Sequence, residues 1–576
     1  MPPSSSPIPP RALRLWPGVV AVTLEWLAWF VPPLVHPEAG PYGLIASLLA
    51  GVAVLVWWAF FSRASGRERV GVLLALVAAV ALARLFVHPS IAGAGMGLLY
   101  FFQALPVVNL ALVIALLASR SRSPGQRRAT LVAALCTSCG LFTLVRTGGI
   151  TGGGSSDFHW RWSPSSEERL IAERAAEAPR APAAAPSVAQ AEWPGFRGPA
   201  RDGVVRGTRL VSDWSVAPPF ELWRRPVGPA WSSFAVSGAL VFTQEQRGEE
   251  ELVTAYRRAS GELAWKHAER VRFEESNAGA GPRATPTWHA GTLYTLGATG
   301  ILNALDATSG ALRWTRDAAR DTGEKVPEWA FAGSPLVVGE LVVVALSGRL
   351  AAYARASGEL AWLGPAGGAS YGSPELATLA GVEQILLLAG GSVLAVSPAD
   401  GTLLWQHEWK SGASILQPAL TAEGELLLAG VDAMGGIGLR RLALARDGAS
   451  WSVSERWTSR GLRPYFSDYV QHGGAAYGLD NGILACLDLA SGERRWKDGR
   501  YGHGQVLLLA DQALLFVLSE DGELVLVRAD PTAFTELARL PVLTGKTWNH
   551  PVLVGDTLFV RNAEEMAAFR LATSER

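Results

Sequence analysis

The sequence predicts an α-helical membrane domain of five transmembrane helices followed by an all-β, eight-bladed propeller. Two observations carry this expectation. The first quarter of the 576-residue chain holds five apolar stretches long enough to cross a bilayer, which takes about 20 residues of helix. After it, an eleven-residue phrase ending in Trp returns five times. Recurrence at a fixed length is the signature of a repeat architecture.

The apolar stretches run over Leu15–Val35, Pro41–Phe61, Val70–Val87, Met96–Ala118 and Ala129–Val145. Arg11, Arg14, Arg63, Arg67, Arg69, Arg120, Arg122, Arg127 and Arg128 fall in the N-terminal segment and in the second and fourth connections. The first and third connections carry no Lys or Arg. Positive connections stay cytoplasmic, so the N-terminus is expected inside and everything after the fifth span outside. No small-residue cleavage site follows the first stretch, so it reads as a span and not as a signal peptide. Glu25 and Arg84 lie within spans. An intramembrane charge is a candidate functional group, although Arg84 is near a helix end and Glu25 can bond a neighbouring helix. Cys136 and Cys139 have CxxC spacing but no following His, and read as small residues packed between membrane helices.

The expected boundaries are a five-helix domain over 1–147, a linker over 148–191 and a propeller over 192–576. In the linker the glycine run Thr147–Ser156 breaks the helix. Ser165 and Glu168 have capping-box spacing at the start of a short helix. The Pro- and Ala-rich run after it is extended.

The recurring phrases are Ala255–Trp265, Ala304–Trp314, Ala352–Trp362, Ala395–Trp405 and Cys486–Trp496, each with Gly four residues before the Trp. Each follows an alternating apolar run, so a unit reads as four short antiparallel strands joined by tight turns. Trp223, Trp265, Trp314, Trp362, Trp405, Trp457 and Trp496 are 39–52 residues apart, the length of a four-stranded blade. Phe220–Gly228 is an outer strand with no three strands before it, and Asp556–Leu571 lacks an outer strand. Joining the two closes a ring of eight. The indoles are expected in the wedge between blades, with Ala at the phrase's first position leaving room beside them.

The phrase A-x-D-x-x-[TS]-G-x-x-x-W resembles the tryptophan-docking repeat of the pyrroloquinoline-quinone-type (PQQ-like) propellers, which include quinoprotein dehydrogenases and BamB-type outer-membrane assembly factors. Trp193–Gly203, "WPGFRGPARDG", resembles the lead-in of bacterial PQQ-like repeat proteins. The resemblance covers about residues 192–572 and implies the fold, because the repeat encodes blade packing and not chemistry. Five helices before such a propeller also resemble membrane-bound glucose dehydrogenase, a quinoprotein. That reading implies PQQ with Ca²⁺ and a carboxylate base.

Each inner strand is expected to begin at the channel mouth. Those starts supply a polar ring of Ser233, Arg283, Thr285, Ser334, Ser373, Gln417, Asp468, His503, Asn549 and His550, with Glu275 and Asn277 just upstream of the second start. Under the quinoprotein reading Asp468 is the candidate base and Asn277 a candidate metal ligand. The competing expectation is that short polar side chains satisfy buried backbone at the strand starts. No P-loop or HExxH pattern occurs. The formal charge is zero and no basic groove accompanies the Trp residues, so nucleic acid is not expected as a partner. The expectation is a multi-pass inner-membrane protein whose periplasmic propeller binds an envelope protein or small ligand without catalysis. The alternative is a PQQ-dependent dehydrogenase oxidising an alcohol or sugar and passing electrons to quinone.

Overall fold

A computed structural model describes residues 13–35, 39–152, 154–175, 191–412, 414–432 and 435–574. Arg11, residues 36–38 of the first connection, and the Pro- and Ala-rich run over 176–190 lie outside them. The chain forms two compact units, Met1–Ser163 with Glu275–Ala278, and Pro164–Glu274 with Gly279–Arg576.

In the first unit all five apolar stretches are helical. The helices are α1 (Trp16–Val35), α2 (Gly40–Val56, continued by a π-helical turn, Trp57–Phe61), α3 (Gly66–Phe86), α4 (Leu99–Ala118) and α5 (Pro124–Leu141). Among the described residues, Tyr42–Phe61, Gly66–Phe86 and Leu99–Ala118 are long and apolar enough to cross a membrane. Helix α5 begins five residues before the expected span, because Ser123 and Gln126 close a capping box. Its first turns therefore hold Arg127 and Arg128, and its apolar part is short. Arg127 binds Glu68 of α3 through two contacts of 2.6 and 2.7 Å. Glu25 is buried, and Asn109 Nδ2 donates to both of its carboxyl oxygens at 3.0 Å and to Gly51 O at 3.2 Å. A side chain at Gly51 would sit 2.6 Å from Glu25 Oε1, so the close approach of α1, α2 and α4 here requires glycine. Arg84 caps the third connection through Ala92 O.

The glycine run after α5 is more than a helix breaker. Two strands, β1 (Val145–Ile150) and β2 (Ser156–Trp160), pair antiparallel with Arg146 opposite His159. The short helix α6 (Ser166–Ala175) opens with the expected capping box. Ser165 N donates to Glu168 Oε2 at 2.6 Å, and Glu168 N donates to Ser165 Oγ at 3.1 Å. Glu167 pairs with Arg272 and accepts from Gly248 N, tying α6 to the first blade.

The second unit is an eight-bladed propeller. Seven blades are continuous in sequence, with inner strands at Ala235–Ser237, Thr287–His289, Leu336–Val338, Glu375–Leu379, Ala419–Leu420, Val470–His472 and Gln505–Leu509. The eighth runs Val552–Val554, Thr557–Arg561, Glu565–Arg570, and takes its outer strand from Phe220–Pro226, with Ala568 opposite Trp223. Arg561, fully buried, stitches this seam by donating to Thr243 Oγ1, Gln244 O and Gly228 O at 2.6–2.9 Å.

The repeat phrase is a packing device between blades. In each copy its first residue faces its own Trp across the outer strand pair, as Ala304 faces Trp314. The indole then reaches the next blade. Trp223, Trp265, Trp314, Trp362, Trp457 and Trp496 donate Nε1–H to backbone carbonyls of the following blade at 2.8–3.1 Å. Its ring lies on the glycine of the next copy: a Cβ at Gly358 would stand 2.7 Å from the Trp314 ring. Gly358 also turns the chain at φ +72°, a conformation that suits glycine. Trp405 departs from the pattern because the fifth blade has no Gly-x-x-x-Trp phrase. It donates to Gln384 Oε1 of its own blade and packs against Trp451.

Candidate functional site: a self-filled channel mouth

The strand starts do form a ring, and backbone pairing lays it out. Ser233 N donates to Thr285 Oγ1 at 3.0 Å, Thr285 N to Ser334 Oγ at 2.9 Å, and Ser334 N to Ser373 Oγ at 3.0 Å. Each hydroxyl thus accepts from the preceding blade. Ser233 Oγ donates to His550 O, and Asn549 Nδ2 donates to Ser232 O at 2.8 Å and to Ala230 O at 3.2 Å, carrying the lacing across the closing seam. Asp468 N donates to Gln505 Oε1 at 3.1 Å. Short polar residues recur here because the inner ends of neighbouring blades meet in a buried place where each N–H needs an acceptor.

Three of the residues expected at or just upstream of the ring sit elsewhere. Asn277 accepts from Gly95 N through Oδ1 at 2.8 Å and from Ile150 N through its carbonyl at 2.9 Å, grouping with the first unit and not with the ring. Glu275 accepts from Asn277 N and Ala278 N of its own turn. Arg283 folds back on its own loop, donating to the carbonyls of Gly279, Ala280 and Gly281. The loop 274–280 leaves the inner strand, so nearness in sequence to a strand start did not place these residues in the ring.

The ring's occupant is the chain itself. The lead-in Trp193–Val205 crosses the inner strands and touches every blade. Trp193 and Val236 exchange backbone hydrogen bonds at 2.7 and 3.1 Å, and Trp288 N donates to Pro194 O at 2.7 Å. Arg201 reaches Pro335 O and Pro374 O at 3.2 and 3.3 Å, while Gln417 Nε2 donates to Arg201 O at 3.1 Å. Arg197 Nη2 donates to Tyr469 O at 2.6 Å. Val204–Val205 then joins the seventh blade as a fifth, parallel strand beside Leu508 and Leu509. Phe196 meets the His550 ring edge-on at 5.1 Å.

These contacts engage two carboxylates at the strand starts, Asp468 and Glu375. Asp468 Oδ1 lies 3.3 Å from Arg197 Nη1, and Asp468 Oδ2 is 2.8 Å from His550 Nε2. Burial lifts the Asp468 carboxyl, but Arg197 and the His550 hydrogen bond outweigh it and hold it below the ordinary carboxylate range. Glu375 faces Arg201 at 3.5 Å, and there burial wins, lifting the carboxyl to about 7 against the pull of the guanidinium. Gln417 Oε1, Ser467 Oγ, Asn549 Oδ1, His503 Nδ1 and Asp468 Oδ1 are buried without a hydrogen-bond partner among the described residues, Asp468 Oδ1 having only its ion-pair contact with Arg197.

A second layer of side chains surrounds the same strand starts. Trp231 and Trp548 approach with centroids 4.7 Å apart, Phe466 lies 4.8 Å from Trp548, and His503 stacks on Phe466 at 5.4 Å. Lys546 Nζ sits 4.5 Å over Trp548, and Glu520 accepts from Trp548 Nε1 at 2.8 Å and from His503 N at 3.0 Å. These aromatics are half-buried. Sequence reading missed Arg197, Arg201, Glu375 and, apart from His503, this aromatic layer. The two arginines sit in the segment noted only for its resemblance, and their partners on the blades, backbone carbonyls and carboxylates 134 to 272 residues away, have no spacing rule in the sequence.

A quinone cofactor with Ca²⁺ would need several oxygen ligands and a free carboxylate base. The residues present do not fit it. Asp468, the candidate base, is paired with Arg197, and among the described residues no three His, Cys, Asp or Glu side chains come together to hold a metal.

The geometry defines a repeat propeller closed by its first strand and sealed by its own lead-in. Its repeat phrase resembles that of the PQQ-like propellers. Residues 249–498 match the family described as outer membrane protein assembly factor BamB. Among solved structures the chain is similar to BamB from Moraxella catarrhalis, at 16% identity over 62% of this chain and 99% of that one, with a TM-score of 0.45. It is also similar to a quinohemoprotein alcohol dehydrogenase of Pseudomonas putida, at 13% identity over 67% and 81%, TM-score 0.50. The corresponding enzyme of Comamonas testosteroni gives 14% identity over 67% and 81%, TM-score 0.48. At these identities the likeness is one of fold. No curated protein matches the chain.

Proposed function

We propose that the chain is a multi-pass inner-membrane protein whose extracytoplasmic PQQ-like propeller is a non-catalytic scaffold, binding a protein or small ligand of the cell envelope. One observation carries the reading: Asp468, the candidate base, is paired with Arg197 of the chain's own lead-in, and Glu375 faces Arg201 of the same segment. A propeller face freed from chemistry is suited to recognition, and the half-buried aromatics around the strand starts are of the kind that dominate binding energy. The family match to an assembly factor supports the same reading. In this account residues 1–147 cross the membrane five times, 148–191 connect, and 192–576 form the outer domain.

Two outcomes are expected. A C-terminal alkaline phosphatase fusion is active and a C-terminal cytosolic reporter is dark, because nine arginines lie in the cytoplasmic-side segments and none in the two opposite connections. The reverse pattern would sink the five-span topology. In dye reduction with PQQ, Ca²⁺ and a panel of alcohols and aldoses, the purified protein shows no turnover. Turnover that disappears in Asp468→Asn would replace the scaffold reading with the quinoprotein one.

A further inference from the structure

The hairpin β1–β2 of the first unit presents two unlike faces. Alternation along a strand puts Phe158 and Trp160 on one side and Asp157 and His159 on the other. The polar side is internally bonded: Asp157 Oδ1 accepts from Thr147 Oγ1 and Gly148 N at 3.0 Å, and Asp157 Oδ2 lies 3.3 Å from His159 Nε2. The other side is left open among the described residues. Trp160 and Trp162 stack with centroids 5.1 Å apart and planes 10° from parallel. Yet they are 49% and 69% exposed, and Phe158 is 39% exposed.

The hairpin is fixed at the ends of two apolar helices. Arg161 N donates to Leu144 O at 2.9 Å, just past α5, and Arg161 Nη1 donates to Phe86 O at 3.2 Å, the last residue of α3. Thr147 N donates to Ser90 Oγ at 3.0 Å in the connection after α3. Around these anchor points Leu85, Phe86, Leu141 and Leu144 are themselves exposed, so the aromatic face lies beside the outward apolar surface of the helix ends. Trp rings at the end of a spanning helix are stabilised at the headgroup level, where one edge meets hydrocarbon and the indole N–H meets water. Arg146 and Arg161 stand in the same hairpin and suit the phosphates of that layer.

We infer that Phe158, Trp160 and Trp162 form an interfacial anchor that seats the hairpin in the phospholipid headgroup region on the extracytoplasmic side. The occupant of this face is lipid and not a protein partner, because the face continues the lipid-directed surface of α3 and α5. The inference rests on the membrane reading of the first unit, and its test separates the two.

The full chain is reconstituted into vesicles of phosphatidylcholine and phosphatidylglycerol with a photoreactive benzophenone side chain at one position at a time. Position 162 probes the aromatic face, position 159 the polar face, and position 77, exposed in the middle of α3, the membrane span itself. Lipid adducts are expected at 162 and 77, with markedly fewer at 159. Adducts at 77 without adducts at 162 would overturn the anchor while leaving the membrane span intact. Equal adducts at 159 and 162 would overturn the one-faced insertion. No adducts at any position would remove both the span and the anchor.

Discussion

Replacing Arg197 by alanine is expected to destabilise the propeller by about 3–5 kcal/mol, the range for stranding one partner of a buried ion pair. Arg197 is buried in the lead-in and Asp468 is buried in the sixth blade. Their 3.3 Å contact is joined by Arg197 Nη2 hydrogen bonds to Tyr469 O and Asp202 O. Without the guanidinium, Asp468 keeps only His550, and two carbonyls lose their donor. The variant carboxyl must then take up a proton or remain as an uncompensated charge. The loss is therefore larger above neutral pH than near pH 5. Asp468→Asn in the same background should recover part of the stability, because the stranded charge is gone. Denaturant melts of a soluble fragment over 164–576 read both effects. A cost below about 1 kcal/mol for Arg197→Ala, the level of an ordinary surface change, would mean that the lead-in is not seated as described.

The second large effect is at Trp314. Its side chain is 9% exposed, lies on Gly358 and donates Nε1–H to Arg355 O at 2.8 Å. Trp314→Ala should cost roughly 3–5 kcal/mol, as for other large-to-small changes at buried aromatics. Gly358→Ala should also destabilise, for two separate reasons: the new Cβ meets the indole at 2.7 Å, and the residue stands at φ +72°. If Trp314→Ala changes the same melts by less than about 1 kcal/mol, the indole does not bridge blades.

The propeller was legible because its information is periodic. Trp spacing counts the blades, and an unpaired outer strand at one end with a missing one at the other gives the closure. The glycine seat was half legible: the phrase shows Gly and Trp together, but not that each Gly serves the Trp of the preceding blade. That relation is between copies and has no spacing rule within one. The lead-in was readable as family resemblance and not as a plug, since an irregular segment bonded to distant carbonyls has no period. Asn277 was misplaced because a strand start was extended upstream into a loop that leaves the ring. The hairpin after α5 was missed because Gly148, Gly149 and Gly152 were read as breakers only, whereas the flanking Val145 and Trp160 pair as strand ends. The apolar helices were legible from apolar length, and the α5 boundary moved because a Ser–Gln capping box outranks hydropathy as a helix start.

The central claim is that the channel mouth is filled by the chain's own Trp193–Val205 segment, and amide hydrogen exchange of the full-length protein tests it most directly. In this segment Trp193 N is bonded to Val236 O, Gly203 N to Arg197 O and Val204 N to Asp202 Oδ1. Exchange of its peptides is expected to be as slow as that of the inner strands Leu336–Val338 and Val552–Val554, because all of them open only when the blades separate. Exchange of the 193–205 peptides at the rate of an unstructured chain, with the inner strands still protected, would contradict the claim and leave the ring open to a ligand.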